Sequence, residues 1–197
     1  ICDLAKVEPG VRFPLPAPQS IETKHGMVPK TITLISDPKV LQIPIRENGD
    51  SLVDIRDYQE ILIDTRKSKA SNSYFKLRKS VVAKLLEATK YLPQGIRFLV
   101  VEGHRPLSLQ KKYFDEYSEE LSGLHPDLDK KRIYDEASKY VAPPEIIPPH
   151  STGGAVDLTL ADKNGKEMDM GTRLNADPEE SDNACFTLAE NISDSAR

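Results

Sequence analysis

The chain has 197 residues, with 27 Lys and Arg against 31 Asp and Glu, and a net charge of −4. Its basic residues are scattered, so no electrostatic footprint for nucleic acid is present. No apolar run approaches the ~18 residues that a membrane-spanning helix requires. The length suits one domain with a real core. The two cysteines, Cys2 and Cys185, lie near opposite ends. A bridge and two free thiols are both open to them, free thiols being preferred, and neither sits in a Cys/His constellation suited to nucleophilic catalysis. The first residue is Ile1 rather than Met, so a trimmed N-terminus is expected and any leader is out of view.

In chain order, residues 1–30 are proline-dotted and read as an irregular arm; 31–197 read as a single domain. Thr31 to Ile35 and Ile61 to Ile63 are candidate short strands. The cluster Arg66-Lys67-Ser68-Lys69 reads as a solvated loop. Tyr74, Leu77, Val81, Leu85 and Ala88 recur every three or four residues, which predicts a helix from about Ser73 to Tyr91. Pro93 and Gly95 end it, and Ile96 to Val101 returns as a strand. Ser108 is placed to cap a second helix running to Leu121. A third, from Asp127 to Tyr140, stops before Pro143 and Pro144, and a Pro-rich link from Ala142 to Pro149 leads to His150. The pattern is α+β, with helices packed on a small antiparallel sheet rather than a βαβ alternation.

Two segments carry candidate chemistry. In Pro149-His150-Ser151-Thr152-Gly153-Gly154-Ala155-Val156-Asp157, an imidazole and a carboxylate stand seven residues apart across a glycine pair. Asp157 lies in an apolar run, Ala155 to Leu160, that reads as a buried strand. A carboxylate there needs a cation, a hydrogen-bond partner or a metal. Gly153 and Gly154 permit a sharp turn that returns His150 to Asp157. Such a pair is half of a zinc site, or a hydrogen-bonded couple that pins a loop. In Val101-Glu102-Gly103-His104-Arg105-Pro106 a strand runs into a polar turn. An Arg so placed can hold a carboxylate or a developing oxyanion, or make an ordinary surface salt bridge.

Together these segments resemble the zinc D-alanyl-D-alanine dipeptidases, within the D-Ala-D-Ala-cleaving metallopeptidases of the Hedgehog-type fold. That family carries Ser-x-His-x6-Asp, an upstream Gly-Tyr-Arg-Pro, and a Met-Gly-Thr/Ser turn that corresponds to Asp169-Met170-Gly171-Thr172 here. The match runs from about Ile61 to Arg197. The resemblance implies that His150 and Asp157 are ligands to Zn2+, that Arg105 stabilises the oxyanion, and that Glu102 orients the Arg. It implies as substrate a small D-amino-acid dipeptide or peptidoglycan fragment of bacterial cell-wall metabolism, with a cytoplasmic location expected over a periplasmic one. Three positions depart from the pattern. Pro148 replaces the Ser before the His, His104 replaces the Tyr before the Arg, and Asn175 replaces the Asp that would hold the substrate ammonium. Asn175 supplies no charge, which keeps a D,D-carboxypeptidase acting on longer stem peptides as the rival reading.

The family's third zinc ligand and catalytic Glu lie in a Glu-Trp-Trp-His-like segment. This chain has no Trp and no His after His150. Its last residues, Ser193-Asp194-Ser195-Ala196-Arg197, read as the capped first turn of a helix, so the domain is expected to be C-terminally incomplete. His25, His104 and His125 are expected not to be ligands. Two protein ligands imply weak zinc affinity and an inactive chain, and a non-catalytic binding module is the alternative from another class.

Overall fold

The computed structural model describes residues 37–176, 180–186 and 189–197. The arm over 1–30, the strand expected at Thr31 to Ile35, Cys2 and His25 therefore lie outside the described residues. Cys185 is a half-buried free thiol.

The described chain begins with a single helical turn, α1 (Pro38–Leu41), capped by the Asp37 carboxylate on the Lys39 amide. Strand β1 (Leu52–Asp54) leads into a 3-10 turn over Ile55–Asp57 that buries Ile55. Then come β2 (Leu62–Ile63), β3 (Lys76–Arg78), α2 (Lys79–Thr89) and β4 (Arg97–Glu102). Helices α3 (Leu107–Leu124) and α4 (Lys130–Ala137), a 3-10 turn over Pro149–Thr152, and β5 (Asp157–Ala161) complete the order.

The fold is α+β, with two small sheets. β1 and β3 pair antiparallel, Val53 opposite Leu77. The other sheet runs β2-β4-β5 and is mixed. β4 and β5 are antiparallel, as expected, but β2 lies parallel to β4, with Leu62 opposite Leu99. The chain between β2 and β4 carries β3 and α2, long enough for the crossover that parallel strands require.

Two apolar clusters hold these layers. Ile55, Ile61, Leu77, Val82, Leu85 and Val100 pack between the sheets and α2. Phe114, Tyr117, Leu121, Ile133, Ala137 and Val141 join α3 to α4.

Three boundaries differ from the sequence expectation. The helix expected from Ser73 starts at Lys79, because residues 76–78 pair with β1. The backbones of Tyr74 and Lys76 also serve the turn after β4: the Gly103 amide donates to the Tyr74 carbonyl and the His104 amide to the Lys76 carbonyl. Tyr74 and Leu77 are buried, so their spacing mimics helical periodicity although a strand buries them. Ser108 does not cap α3, which starts at Leu107 behind Pro106; the Pro106 carbonyl accepts from the Leu109 and Gln110 amides. Helix α4 is shorter than its charge pattern suggests and is capped by Asp129, whose carboxylate accepts from the Arg132 amide.

β5 begins at Asp157, later than the apolar run suggests, and its fully buried members are Thr159 and Ala161. Val156 and Leu158 lean on the sheet cluster while only partly buried. No helix among the described residues is long and apolar enough to cross a membrane.

Candidate metal centre

The ends of β4 and β5 build the site. Val100 stands opposite Leu158 and Glu102 opposite Asp157, with the register shifting between them. Val101 is the extra residue of this bulge, a device that bends a strand and re-aims the side chains beside it. Beyond Glu102 the backbone passes so close to β3 that only glycine fits. A Cβ on Gly103 would stand 2.4 Å from the Lys76 carbonyl oxygen.

His150 arrives from the opposite direction on the 3-10 turn over Pro149–Thr152. Gly153 ends that turn with φ of 71°, in the left-handed region that glycine adopts without a Cβ clash. The His150 carbonyl accepts from the Arg105 amide at 3.2 Å, and ring atom Nδ1 lies 2.8 Å from the Gly103 carbonyl. A carbonyl can only accept, so Nδ1 carries a proton and donates. Nε2 is thereby turned to Asp157, 3.4 Å from its Oδ1. The His150 side chain is 7 % exposed and that of Asp157 12 %.

The spacing suits an ion pair or a shared cation. At 3.4 Å the pair is longer than a good N–H···O hydrogen bond. Donors about 2.0–2.1 Å from a tetrahedral zinc lie about 3.3 Å from each other, so the gap suits one shared ion. A ring whose other nitrogen donates to a backbone carbonyl is also the usual arrangement of a metal-bound histidine. His150 and Asp157 thus could hold two positions of a divalent cation, and among the described residues no set of three or more His, Cys, Asp or Glu surrounds one. Burial pulls the His150 pKa down, but the facing Asp157 carboxylate and the Gly103 carbonyl outweigh it and leave it raised, against repulsion from Arg105.

Arg105 is not a surface ion pair. It is 4 % exposed, and its guanidinium forks onto Glu102, Nε to Oε1 at 2.7 Å and Nη2 to Oε2 at 2.8 Å. Nη1 donates to the Gln110 carbonyl oxygen at 2.8 Å, and the Gln110 amide nitrogen donates to the Ala142 backbone at 2.7 Å. Bidentate geometry fixes the plane of the guanidinium as well as its place. Glu102 therefore holds the plane of the Arg105 guanidinium.

Lys67 corrects the sequence reading. It is 4 % exposed rather than solvated, and its ammonium lies 3.4 Å from Glu102 Oε2. Lys67 and Arg105 also approach the same Tyr113 ring, at 5.6 and 5.1 Å from its centroid. The parallel pairing of β2 with β4 explains this, since a segment leaving β2 emerges beside the end of β4. Sequence reasoning also missed Gln110. Its one available signal was a polar residue within the apolar stripe of α3, with Tyr113, Phe114, Tyr117 and Leu121.

The remaining candidates stand apart. His104 lies next to the site, but burial and the charges of Lys76 and Arg78 lower its pKa and favour the neutral ring. Asn175 is half-buried with a left-handed backbone (φ 62°) and, among the described residues, makes no hydrogen bond or ion pair to this cluster. The Met170-Gly171 turn is held by Asp169, which accepts from the Gly171 amide and from the Ser193 and Ser195 hydroxyls. Residues 193–196 form a turn rather than a helix.

The architecture and the facing His150 and Asp157 give an α+β domain with a candidate cation centre at the meeting of two strand ends. No known family's sequence profile matches the chain. Over 158 residues, 68% of the chain, it is 28% identical to a curated protein described as D-alanyl-D-alanine dipeptidase from Synechocystis sp. (strain ATCC 27184 / PCC 6803 / Kazusa). The match spans 62% of that relative's length.

Proposed function

We propose that this protein is a zinc-dependent peptidase that hydrolyses D-alanyl-D-alanine or a related D-amino-acid dipeptide in bacterial cell-wall metabolism. The similarity to a dipeptidase supports peptide hydrolysis. The observation that carries the zinc reading is the 3.4 Å gap between His150 Nε2 and Asp157 Oδ1, with Nδ1 engaged by Gly103.

Zinc held there would supply Lewis-acid polarisation of the scissile carbonyl and activate water at neutral pH. The chain's own part is orientation and charge. His150 and Asp157 would hold the ion, one through a neutral imidazole and one through a carboxylate. Arg105, its plane fixed by Glu102 and Gln110, would donate to the oxygen that becomes negative as the carbonyl turns tetrahedral. Such a donor typically contributes on the order of 100-fold or more in rate, and its prior orientation means little rearrangement is needed as that charge develops.

The test is release of D-alanine from D-alanyl-D-alanine by the full-length protein, with whatever further ligands it carries beyond His150 and Asp157, before and after a chelator and with zinc restored. Activity that falls with chelation and returns with zinc is expected. Hydrolysis indifferent to the chelator rejects the zinc dependence; zinc bound without hydrolysis rejects the peptidase reading and favours a binding module.

One specific feature favours a second reading. Asn175 offers no charge for a substrate ammonium and Pro148 offers no hydroxyl, so a D,D-carboxypeptidase acting on blocked stem peptides is the alternative. Comparing free D-alanyl-D-alanine with its N-acylated form separates them, because a carboxypeptidase prefers the acylated substrate.

A further inference from the structure

We propose that Arg78 is a positioning residue for this centre: it clamps the turn that presents His150, from the side opposite the β4 strand end. Successive carbonyls of that turn end on this one residue. Arg78 Nε donates to the Thr152 carbonyl at 2.7 Å, and the Arg78 backbone amide donates to the Gly153 carbonyl at 2.9 Å. The guanidinium then forks onto Glu47, Nη1 to Oε1 at 2.9 Å and Nη2 to Oε2 at 2.7 Å, and Nη1 also donates to the Asp50 carbonyl. Arg78 thus joins three pieces: residues 47–50, the β1–β3 sheet and the His150 turn.

The turn needs such a grip. A 3-10 segment of four residues has little stability of its own. Its other attachments, Arg105 amide to His150 carbonyl and His150 ring to Gly103 carbonyl, all come from the β4 side. Gly153 presses the turn against β1 so closely that a Cβ there would lie 2.3 Å from Leu52 Cδ2. The Arg78 side chain is 22 % exposed and touches neither His150 nor Asp157 in any hydrogen bond or ion pair among the described residues, so it acts through the turn. Lysine could keep the charge but not the fork, which requires the planar guanidinium.

The experiment compares R78Q, R78K and R56Q in the full chain. Arg56 is the matched control, because just after β1 it makes a similar fork to Asp54 without touching the turn. Zinc affinity is measured by competition with a chromophoric chelator, and the His150 ring is followed by 1H–15N correlation in zinc-free protein. R78Q is expected to bind zinc about tenfold more weakly or worse, the usual cost of losing support behind a ligand. Its His150 ring signals should broaden or split while those of His125 stay put. R78K should fall between, and R56Q should match the wild type.

Wild-type zinc affinity and an unaltered His150 pattern in R78Q would overturn the proposal, as would an equal effect in R56Q. Should R78Q not fold, R78K is judged on the same two readouts, and wild-type behaviour in both overturns the clamp. The affinity readout rests on the zinc reading above, whereas the ring signals do not. A wild-type protein that takes no zinc would reject the zinc reading and leave the clamp to be decided by the ring signals.

Discussion

At the residue scale, Glu102 is the hinge of the site's electrostatics. It is 2 % exposed at the side chain and faces the Arg105 fork and the Lys67 ammonium at once. Neutralising it would remove the carboxylate that two buried cations share, and breaking a buried ion pair typically costs on the order of 3–5 kcal/mol. Glu102→Gln is therefore expected to lower the urea midpoint sharply. Lys67→Met should cost less, because the carboxylate keeps its two bonds to Arg105. Equal losses in the two variants would show that the carboxylate is not shared. His150, Asp157 and Arg105 stood out by residue type and spacing, because a carboxylate in an apolar run and an Arg at a strand end each need a partner, whereas Glu102 was singled out only through the family resemblance. Lys67 was not. Nothing in a short run of basic residues says that one of them is buried, since that depends on a parallel pairing set by residues nearly forty positions away.

The elements place these side chains through close backbone approaches. Gly103 and Gly153 look alike in sequence, yet the structure distinguishes them. A Cβ on Gly103 meets a backbone oxygen at 2.4 Å, while one on Gly153 meets the end of a Leu52 side chain, which can rotate away. Gly103→Ala should thus force the β4 turn off β3 and cost about 3 kcal/mol. Gly153→Ala should cost about 1–2 kcal/mol, mostly for the left-handed backbone. Denaturant unfolding of both variants checks the order, and a larger loss at Gly153 contradicts it. Strand β4 and the approximate span of α3 could be read from the sequence, because apolar runs and Pro or Gly boundaries are local signals. The start of α2 could not: Tyr74 and Leu77 sit at helical spacing, while the backbone partners that make residues 76–78 a strand come from β1.

Across the whole molecule, the Arg105–Gln110–Ala142 hydrogen bonds tie the strand ends to the helical side. β4 and β5 belong to the sheet cluster, while Gln110 on α3 and the Ala142 carbonyl belong to the helical side. An ion bound by His150 and Asp157 would stabilise only the folded arrangement of both strand ends. Zinc at a hundredfold excess over its dissociation constant should then add about 2.7 kcal/mol of stability. A zinc-dependent rise in melting temperature, absent in His150→Ala, is expected. An equal rise in that variant would assign the effect to another site.

Residues 102–105 touch every other participant. Glu102 faces Asp157 across the strands, Gly103 receives the imidazole proton, and Arg105 holds the His150 carbonyl with its amide and Glu102 with its side chain. Four consecutive positions therefore act as the template for the whole centre. Insertions in distant loops can reshape what reaches it without altering its internal distances, as long as β4 and β5 stay paired. A one-residue slip inside the template would misplace imidazole, carboxylate and guanidinium together. Divergence in specificity is thus expected to accumulate in the surrounding loops and at His104, with the length and backbone path of this segment kept.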